Sequence, residues 1–416
     1  MVIMILKILV PFLIIFQVIP LLIWVERKGS AFIQDRHGPN RAAIMGLRLG
    51  GLLHSLADVI KLMSKEDIIP HNVNKPFFIM APWITLSIAC VTFAVIPFAQ
   101  PLTINGELFS IQAANINVGI LYILAMASLG VFGIMLAGWS SNNKYALLGG
   151  VRSSAQMLSY EISMGLALMS VLLVSGSLEL NDIASLQTAM PWNWNVVKQP
   201  LAFLLFTAAA FAETNRNPFD LPEGESEIVA GYHTEYSSMK FAMFFMAEYA
   251  HIIIASALIS VLFFGGWQVP FLSTDILRSH ADIGLFFVIL AHGVGLLVLG
   301  MFLLSKYQKN KYGDKRDYEV LVLGVPFIVI GIVLCGIAFG FGAQPLGDLG
   351  QQIFAAFIQF GVFLGKILFF CWFFIWVRWT LPRFRYDQLM HLGWKVMLPL
   401  SLINITVTAI VILMVS

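Results

Sequence analysis

The sequence predicts an all-α polytopic membrane protein, and three observations carry that prediction. Of 416 residues, 59% are hydrophobic and only 12% are charged, with a mean hydropathy of +0.84; about a quarter of a soluble chain is charged. Apolar runs of about 20 residues recur along the whole chain, the length an α-helix needs to cross the hydrocarbon core. Basic residues gather in alternate connecting segments, as they do where a bilayer sorts loops by charge.

The runs place ten spans near 3–25, 77–98, 118–138, 155–175, 199–212, 241–263, 283–304, 320–342, 353–377 and 396–415. The first ends in Glu26-Arg27-Lys28 with no small-residue cleavage site, which reads as a retained span rather than a removable signal peptide. The fifth is short for a bilayer, so it is expected to tilt or to begin earlier. Threading the chain through ten spans puts segments 26–76, 139–154, 213–240, 305–319 and 378–395 on one side. These hold 21 of the 25 Lys and Arg, the exceptions being Lys7, Lys198, Arg278 and Lys366. The positive-inside rule then makes that side cytoplasmic and puts both termini outside. Within the first segment, GLLHSLADVIKLMSKED (51–67) aligns His54, Asp58, Lys61 and Lys65 along one stripe and leaves apolar residues elsewhere. That pattern suggests an amphipathic helix at the interface, either a plain anchor or the lining of a cavity. No internal repeat stands out, which weakens an inverted-repeat transporter.

The acidic residues are unevenly placed. Seven of 23 fall between 213 and 248: Glu213, Asp220, Glu223, Glu225, Glu227, Glu235 and Glu248. Crowded carboxylates disfavour each other's ionisation and so bind protons more readily. Pro218 and Pro222 forbid helical continuation, so 214–223 is expected to be an ordered non-helical loop. A solvated acidic loop is the usual fate of such a run, but Phe219, Leu221 and Ile228-Val229-Ala230 favour packing. Glu161, in SSAQMLSYEISMGLALMSVLL, and Glu248, in MKFAMFFMAEYAHIIIASALI, lie inside apolar spans, where an ionisable group is costly and usually functional. Their two spans are expected to touch. Arg152, Gln156 and Tyr160, spaced by four, make a polar stripe beside Glu161 that could stabilise its charge or hand it a proton.

Lys366 and His292 also fall inside apolar runs. Lys366 is open between an ion-path residue and a snorkelling cation, and His292 reads as an interior hydrogen-bonded histidine. The three cysteines, Cys90, Cys335 and Cys371, are isolated, without CxxC or a His at ligand spacing, so neither zinc nor an iron–sulfur cluster is expected on this chain. Nothing matches a phosphate loop, a nucleophile elbow or a dinucleotide fingerprint. The chain alone is not equipped to move electrons.

Five segments in order, VERKGSAFIQDRHGPNR (25–41), ADVIKLMSKE (57–66), GWSSNNKYALLGGVRSSAQMLSYEIS (138–163), AETNRNPFDLPEGESEIVAGYHTEYSSMKFAMFFMAEYAHI (212–252) and WVRWTLPRFRYDQLMHLGWK (376–395), closely resemble the H-subunit family of NADH-quinone oxidoreductase, the membrane subunit of respiratory complex I called subunit 1 in mitochondria. The resemblance covers roughly 1–265 and 353–416. It implies a heel subunit of the membrane arm, lying against cluster-bearing hydrophilic-arm subunits that carry flavin (FMN) and iron–sulfur clusters, and next to antiporter-like membrane subunits. Quinone would be the substrate, and no nucleic acid would be involved. By matching motif, Arg27, Arg36, Asp58, Arg216, Glu213, Asp220, Glu223, Glu225 and Glu227 would lie on or near the quinone chamber, as would Arg383, Arg385 and Asp387. Arg216 and Arg36 would hold the loop's acids in place. Glu161, Glu235 and Glu248, with Tyr160 and Arg152 beside them, would begin a carboxylate relay towards the antiporter-like subunits. The setting implied is a bacterial cell inner membrane.

The stretch 271–350 departs from the family's pattern. It reads as an inserted transmembrane hairpin on a family-like eight-helix bundle, so that the chain divides into 1–265, the hairpin, and two closing helices in 353–416. Three rivals share some of these features: the equivalent subunit of an energy-converting hydrogenase or another donor-linked relative, a stand-alone proton or cation transporter, and a structural membrane anchor. The intact ETNRNPFD, ERK and RYDQLMH segments favour the quinone enzyme.

Overall fold

The structure, a computed structural model, describes residues 2–104, 106–309, 316–342 and 344–415. The helices in chain order are α1 (Val2–Ile33), α2 (Leu53–Ser64), α3 (Lys75–Thr92), α4 (Gly119–Ser140), α5 (Lys144–Ser175), α6 (Leu180–Leu186), α7 (Asn195–Lys198) and α8 (Pro200–Glu213). There follow α9 (Glu225–Ile228), α10 (Ser238–Phe263), α11 (Thr274–Ser279), α12 (Ala281–Lys309), α13 (Arg316–Phe341), α14 (Asp348–Thr380), α15 (Tyr386–His391) and α16 (Leu398–Val415). A π-helical turn over Leu392–Met397 joins the last two. The short hairpin of β1 (Leu102–Ile104) and β2 (Glu107–Phe109) has no counterpart in the sequence reading, because three residues per strand are too few to show alternation.

Among the described residues, eight stretches are long and apolar enough to cross a membrane: one each in α3, α4, α5, α10, α12, α13 and α14, and one running from α15 through α16. With α1 and the shorter α8 they correspond to the ten expected spans. At 14 residues α8 is about 21 Å long, against a hydrocarbon core of about 30 Å. It does not begin earlier as a continuous helix, because Gln199 breaks the path from α7 and Pro200 opens α8. The loop after Glu213 therefore starts within the depth of the bundle, where irregular backbone is tolerated only if protein covers it. Thr214, Asn215, Arg216, Phe219, Asp220 and Leu221 are all buried.

The five basic segments meet at one end of the bundle. Lys240 pairs with Asp67 at 2.8 Å, Asn143 donates to Glu235 at 2.6 Å, Arg383 donates to Asp220 at 2.7 Å, and Leu49 N donates to Glu319 at 2.6 Å. Side-chain amides close the opposite end, where the Gln100 backbone N–H donates to Gln359 Oε1 and Asn195 donates to the Leu262 carbonyl. Helix α10 is the central pillar, with 83% of its spanning window buried, whereas α12 and α13 have 11% each and stand at the periphery. These two pack on each other through glycines: a Cβ on Gly300 would meet the Gly324 carbonyl at 2.8 Å, and one on Gly331 the Gly293 carbonyl at 2.8 Å. Small residues permit this approach where lipid supplies no hydrophobic drive between helices. On α2, Leu56, Val59, Ile60 and Met63 are exposed, as an interfacial helix requires.

Candidate functional site

The buried loop is held from α5. Gln156 on that helix donates through Nε2 to the Ala212 and Phe219 carbonyls, both at 2.8 Å, and to Asn215 Oδ1 at 3.2 Å. One turn earlier Arg152 donates to Glu227 at 2.7 Å, and one turn later Tyr160 donates to the Leu389 carbonyl at 2.9 Å while its ring packs edge-on against Phe219. The stripe expected to serve Glu161 grips the acidic loop and α15 instead. Neighbouring helix positions point about 100° apart, so a row through 152, 156 and 160 cannot also face the partners of 161. The loop's far end is pressed onto α5 as well. Gly231 has φ +60°, and a side chain there would meet the Pro222 carbonyl at 1.7 Å, while one on Gly149 would meet Tyr232 N at 2.6 Å. Both positions require glycine. The Asn217–Pro218 peptide is cis.

Behind the loop lies an ionic cluster. Arg216 is buried, 3.4 Å from Glu248 and 3.9 Å from Glu26, with its guanidinium 4.5 Å over the Tyr249 ring. Arg378 donates to the same Glu26, and Tyr249 donates to Glu26 Oε2 at 2.7 Å. Tyr232 donates to Glu248 Oε1 at 3.0 Å. Glu223 stands beside Glu248 and 3.9 Å from His233 Nδ1. Arg383 closes the row on Asp220. Among the described residues, four carboxyls, Glu26, Asp220, Glu223 and Glu248, thus face three guanidiniums, Arg216, Arg378 and Arg383. With His233 neutral, the cluster is short of one positive charge, and burial makes that deficit costly. A proton on one carboxyl removes it.

The loop groups follow from this balance. Asp220 is pushed up to about 7, first by burial and then by Glu223, against the pull of Arg383 and Arg216. Burial alone would lower Arg216, but Tyr249, Glu248 and Glu223 outweigh it and hold the guanidinium charged. Burial, then Glu248 and Glu223, keep the Tyr232 phenol protonated. Arg216 is a fixed charge, and the carboxyls are the groups free to change.

A second group sits deeper. Ser128 on α4 donates to Glu161, and Glu161 lies near enough to Glu213 for its charge to act there. Glu161 and Glu248 were expected on touching spans. Instead α5 packs chiefly on α4, α8 and α16, and α10 on α3 and α14, with α8 and the turn Gly231–His233 between them.

The remaining candidates are scattered around the same end. Arg27 and Asp58 pair at 2.5 Å, tying α1 to α2, and both are partly solvent-exposed. Glu235 takes its hydrogen bond from Asn143 and opens on a hollow lined by His71, Ser141 and Lys144. Arg36 is exposed and donates to Gln34, so it does not restrain the loop's acids as expected; the exposed chain after α1 carries it away from them. Arg385 and Asp387 face each other at 3.3 Å on the surface. The side chain of Glu225 lies outside the described residues. Lys366, left open between an ion-path residue and a snorkelling cation, donates through its ammonium at 2.8 Å to each of the Phe264, Gly266 and Gln268 carbonyls and lies 4.7 Å over the Trp194 ring, capping the end of α10. His292 is exposed, bonded to the Val288 carbonyl one turn back.

Glu26 is the residue the sequence reading missed. It ends an apolar span inside a run of three charges, which looks like an ordinary interfacial stop, and only the fold brings Arg216, Tyr249 and Arg378 to it. Tyr232, Tyr249, His233 and Ser128 were missed for the same reason. The position of Tyr249 and Glu248 next to each other in MAEYAH was the one available hint.

Comparison with known proteins adds an independent line. The family model described as NADH dehydrogenase matches residues 5–409. A NADH-quinone oxidoreductase H subunit of Solibacter usitatus is 44% identical, covering 92% of this chain and 90% of its own length. The H subunit of Leptospira biflexa is 43% identical over 91% of this chain and 85% of its own, and that of Bdellovibrio bacteriovorus 38% identical over 99% and 96%.

Proposed function

The chain belongs to the NADH dehydrogenase family, and we propose that it is the membrane subunit of a proton-translocating NADH:quinone oxidoreductase that forms part of the quinone chamber and the first section of its proton relay. The supporting observation is the cluster of four carboxyls against three guanidiniums, buried beneath the loop 214–223 at the basic end of the bundle. Reduction of a quinone to a quinol takes two electrons and two protons. The electrons would come from iron–sulfur clusters on hydrophilic-arm subunits fed by a flavin. The protons, or the charge that their uptake leaves behind, would be exchanged with acids of the chamber.

The hollow bounded by Phe384, Asp387, Gln388, His391 and Leu392 adjoins the loop, because Phe384 N donates to the Pro218 carbonyl. A quinone head there would lie beside Phe384, next to the Arg383 that pairs with Asp220 of the cluster. Loss of one proton from this cluster returns it to a net negative charge in a poorly solvated place. That perturbation would pass from Asp220 and Glu223 to Glu248, and from Glu213 to Glu161, towards antiporter-like subunits in the bilayer. Glu227 and Glu235, anchored by Arg152 and Asn143, would set the loop's outer edge. The membrane would be a bacterial inner membrane, with the basic end cytoplasmic and both termini periplasmic. The hairpin α12–α13 would be an added peripheral element.

The test is quinone reduction and proton pumping measured side by side in membranes carrying Glu161→Gln, Glu248→Gln or Glu225→Gln in the assembled enzyme. Both activities should fall at least tenfold, approaching the range typical of a lost proton-transfer group. Full activity in all three variants would make these acids structural and end the relay reading.

A further inference from the structure

Beyond the carboxylates, a histidine occupies the centre of the bundle. His251 lies on α10, one turn after Glu248, and its Nδ1 is 2.8 Å from the Ala247 carbonyl. A carbonyl only accepts, so Nδ1 carries the hydrogen and Nε2 is left as the acceptor of the neutral ring. Nε2 lies 3.8 Å from where a Cβ on Gly130 would stand. The absence of a side chain at 130 keeps that side of the ring open. An internal cavity, with about 30 Å³ open to the centre of a water molecule, is lined by both His251 and Glu213, together with Thr92, Thr214 and Ala127. That space admits one or two waters, for which Thr92, Glu213, Thr214 and His251 are the polar partners in an otherwise apolar lining.

His251 adjoins two groups of acids. Glu213, on which Glu161 acts, lines the same cavity, and Glu248, paired with Arg216, lies one turn before it on α10. Resting on the relay reading above, we propose that His251 is a proton-transfer residue that exchanges a proton with Glu213 through the cavity and thereby couples the Glu161–Glu213 pair to Glu248. The step is simple to balance. The O–H bond of a neutral Glu213 breaks, a cavity water passes the proton, and an N–H bond forms at His251 Nε2. Glu213 becomes a carboxylate and His251 an imidazolium, with Nδ1–H still held by Ala247. An imidazolium three residues from Glu248 sits on the same helix face and favours its ionised form. The reverse transfer resets both groups.

Among the described residues that line the cavity with the ring, Glu213 from α8 is the titratable group and Thr92 of α3 and Thr214 offer hydroxyls; Glu161 acts on Glu213 from α5, and Glu248 lies one turn away on the ring's own helix. The experiment compares His251→Gln, His251→Phe and Glu213→Gln in the assembled enzyme, reading quinone reduction, proton pumping and their pH profiles. Glutamine can still donate to Ala247 but cannot take up a proton. His251→Gln should lower both activities about tenfold, just under the usual range of a proton-transfer contribution, and remove one inflection from the pH profile, while His251→Phe does at least as much. A His251→Gln enzyme with wild-type rates, or with lower rates and an unchanged profile, would overturn the proposal. If Glu161→Gln and Glu248→Gln still lower both activities in that case, the relay reading survives and only the role of His251 falls; if they and Glu225→Gln do not, both fall.

Discussion

Replacing Arg216 by methionine tests the ionic cluster at its centre. Methionine keeps most of the volume and removes the charge. Arg216 is buried, 3.4 Å from Glu248 and 3.9 Å from Glu26. At an effective dielectric of about 20, a pair at the shorter distance interacts by roughly 5 kcal/mol before desolvation is counted. Breaking a buried pair by removing one partner costs about 3–5 kcal/mol, because the other charge is left uncompensated. The remaining carboxyls avoid part of that cost by taking up a proton. The assay is the temperature at which half of the assembled enzyme loses quinone reductase activity, measured for Arg216→Met, Glu248→Gln and the double variant. Arg216→Met should lower it sharply. The double variant should lose well under the sum of the two single losses, with a coupling of about 2 kcal/mol, as for groups in direct contact. Losses that simply add would mean that Arg216 and Glu248 do not share a network, and the argument for a charge-deficient cluster would fail.

Four further outcomes follow from the same structure. Asp220 holds its proton up to about 7 in the fold but only to 3.8 as an ordinary side chain, so between these values the folded state binds more protons than the unfolded one; stability should therefore fall as pH rises from about 4 to about 7, and Asp220→Asn should flatten that slope in a thermal-inactivation series. Gly231→Ala, with φ +60° and the Pro222 carbonyl 1.7 Å from the new atom, should abolish assembly on native gels, whereas Gly176→Ala, at φ +65° in open space, should cost only about 1 kcal/mol. Lys366→Met strips three carbonyls of their donor and should destabilise the enzyme by about 2–4 kcal/mol; the surviving fraction should pump the same number of protons per electron pair. Gln156→Leu frees the Ala212 and Phe219 carbonyls and should loosen the loop, seen as faster amide hydrogen exchange over 214–223.

What the sequence determined by itself is the layer architecture. Span length and the placement of Lys and Arg depend on the bilayer, which acts on each segment separately, so the long apolar helices and the gathering of five basic segments at one end could be read without knowing how helices pack. The same holds for the cost of Glu161 and Glu248 in apolar runs, and for the breaks imposed by Pro218 and Pro222. The partners of these residues could not be read that way. Which face of α5 looks at the loop depends on the helix's rotation, and the row through Arg152, Gln156 and Tyr160 turned out to hold the acidic loop and α15 rather than Glu161. Glu26 and Arg378 lie 352 positions apart and meet only because α1 and α14 flank α10. Lys366 acquired its role from the open carbonyls at the end of α10, a feature no composition reveals. Charge and length act locally along the chain; pairing of buried charges is a property of the packed bundle, because only there does desolvation make a wrong neighbour expensive.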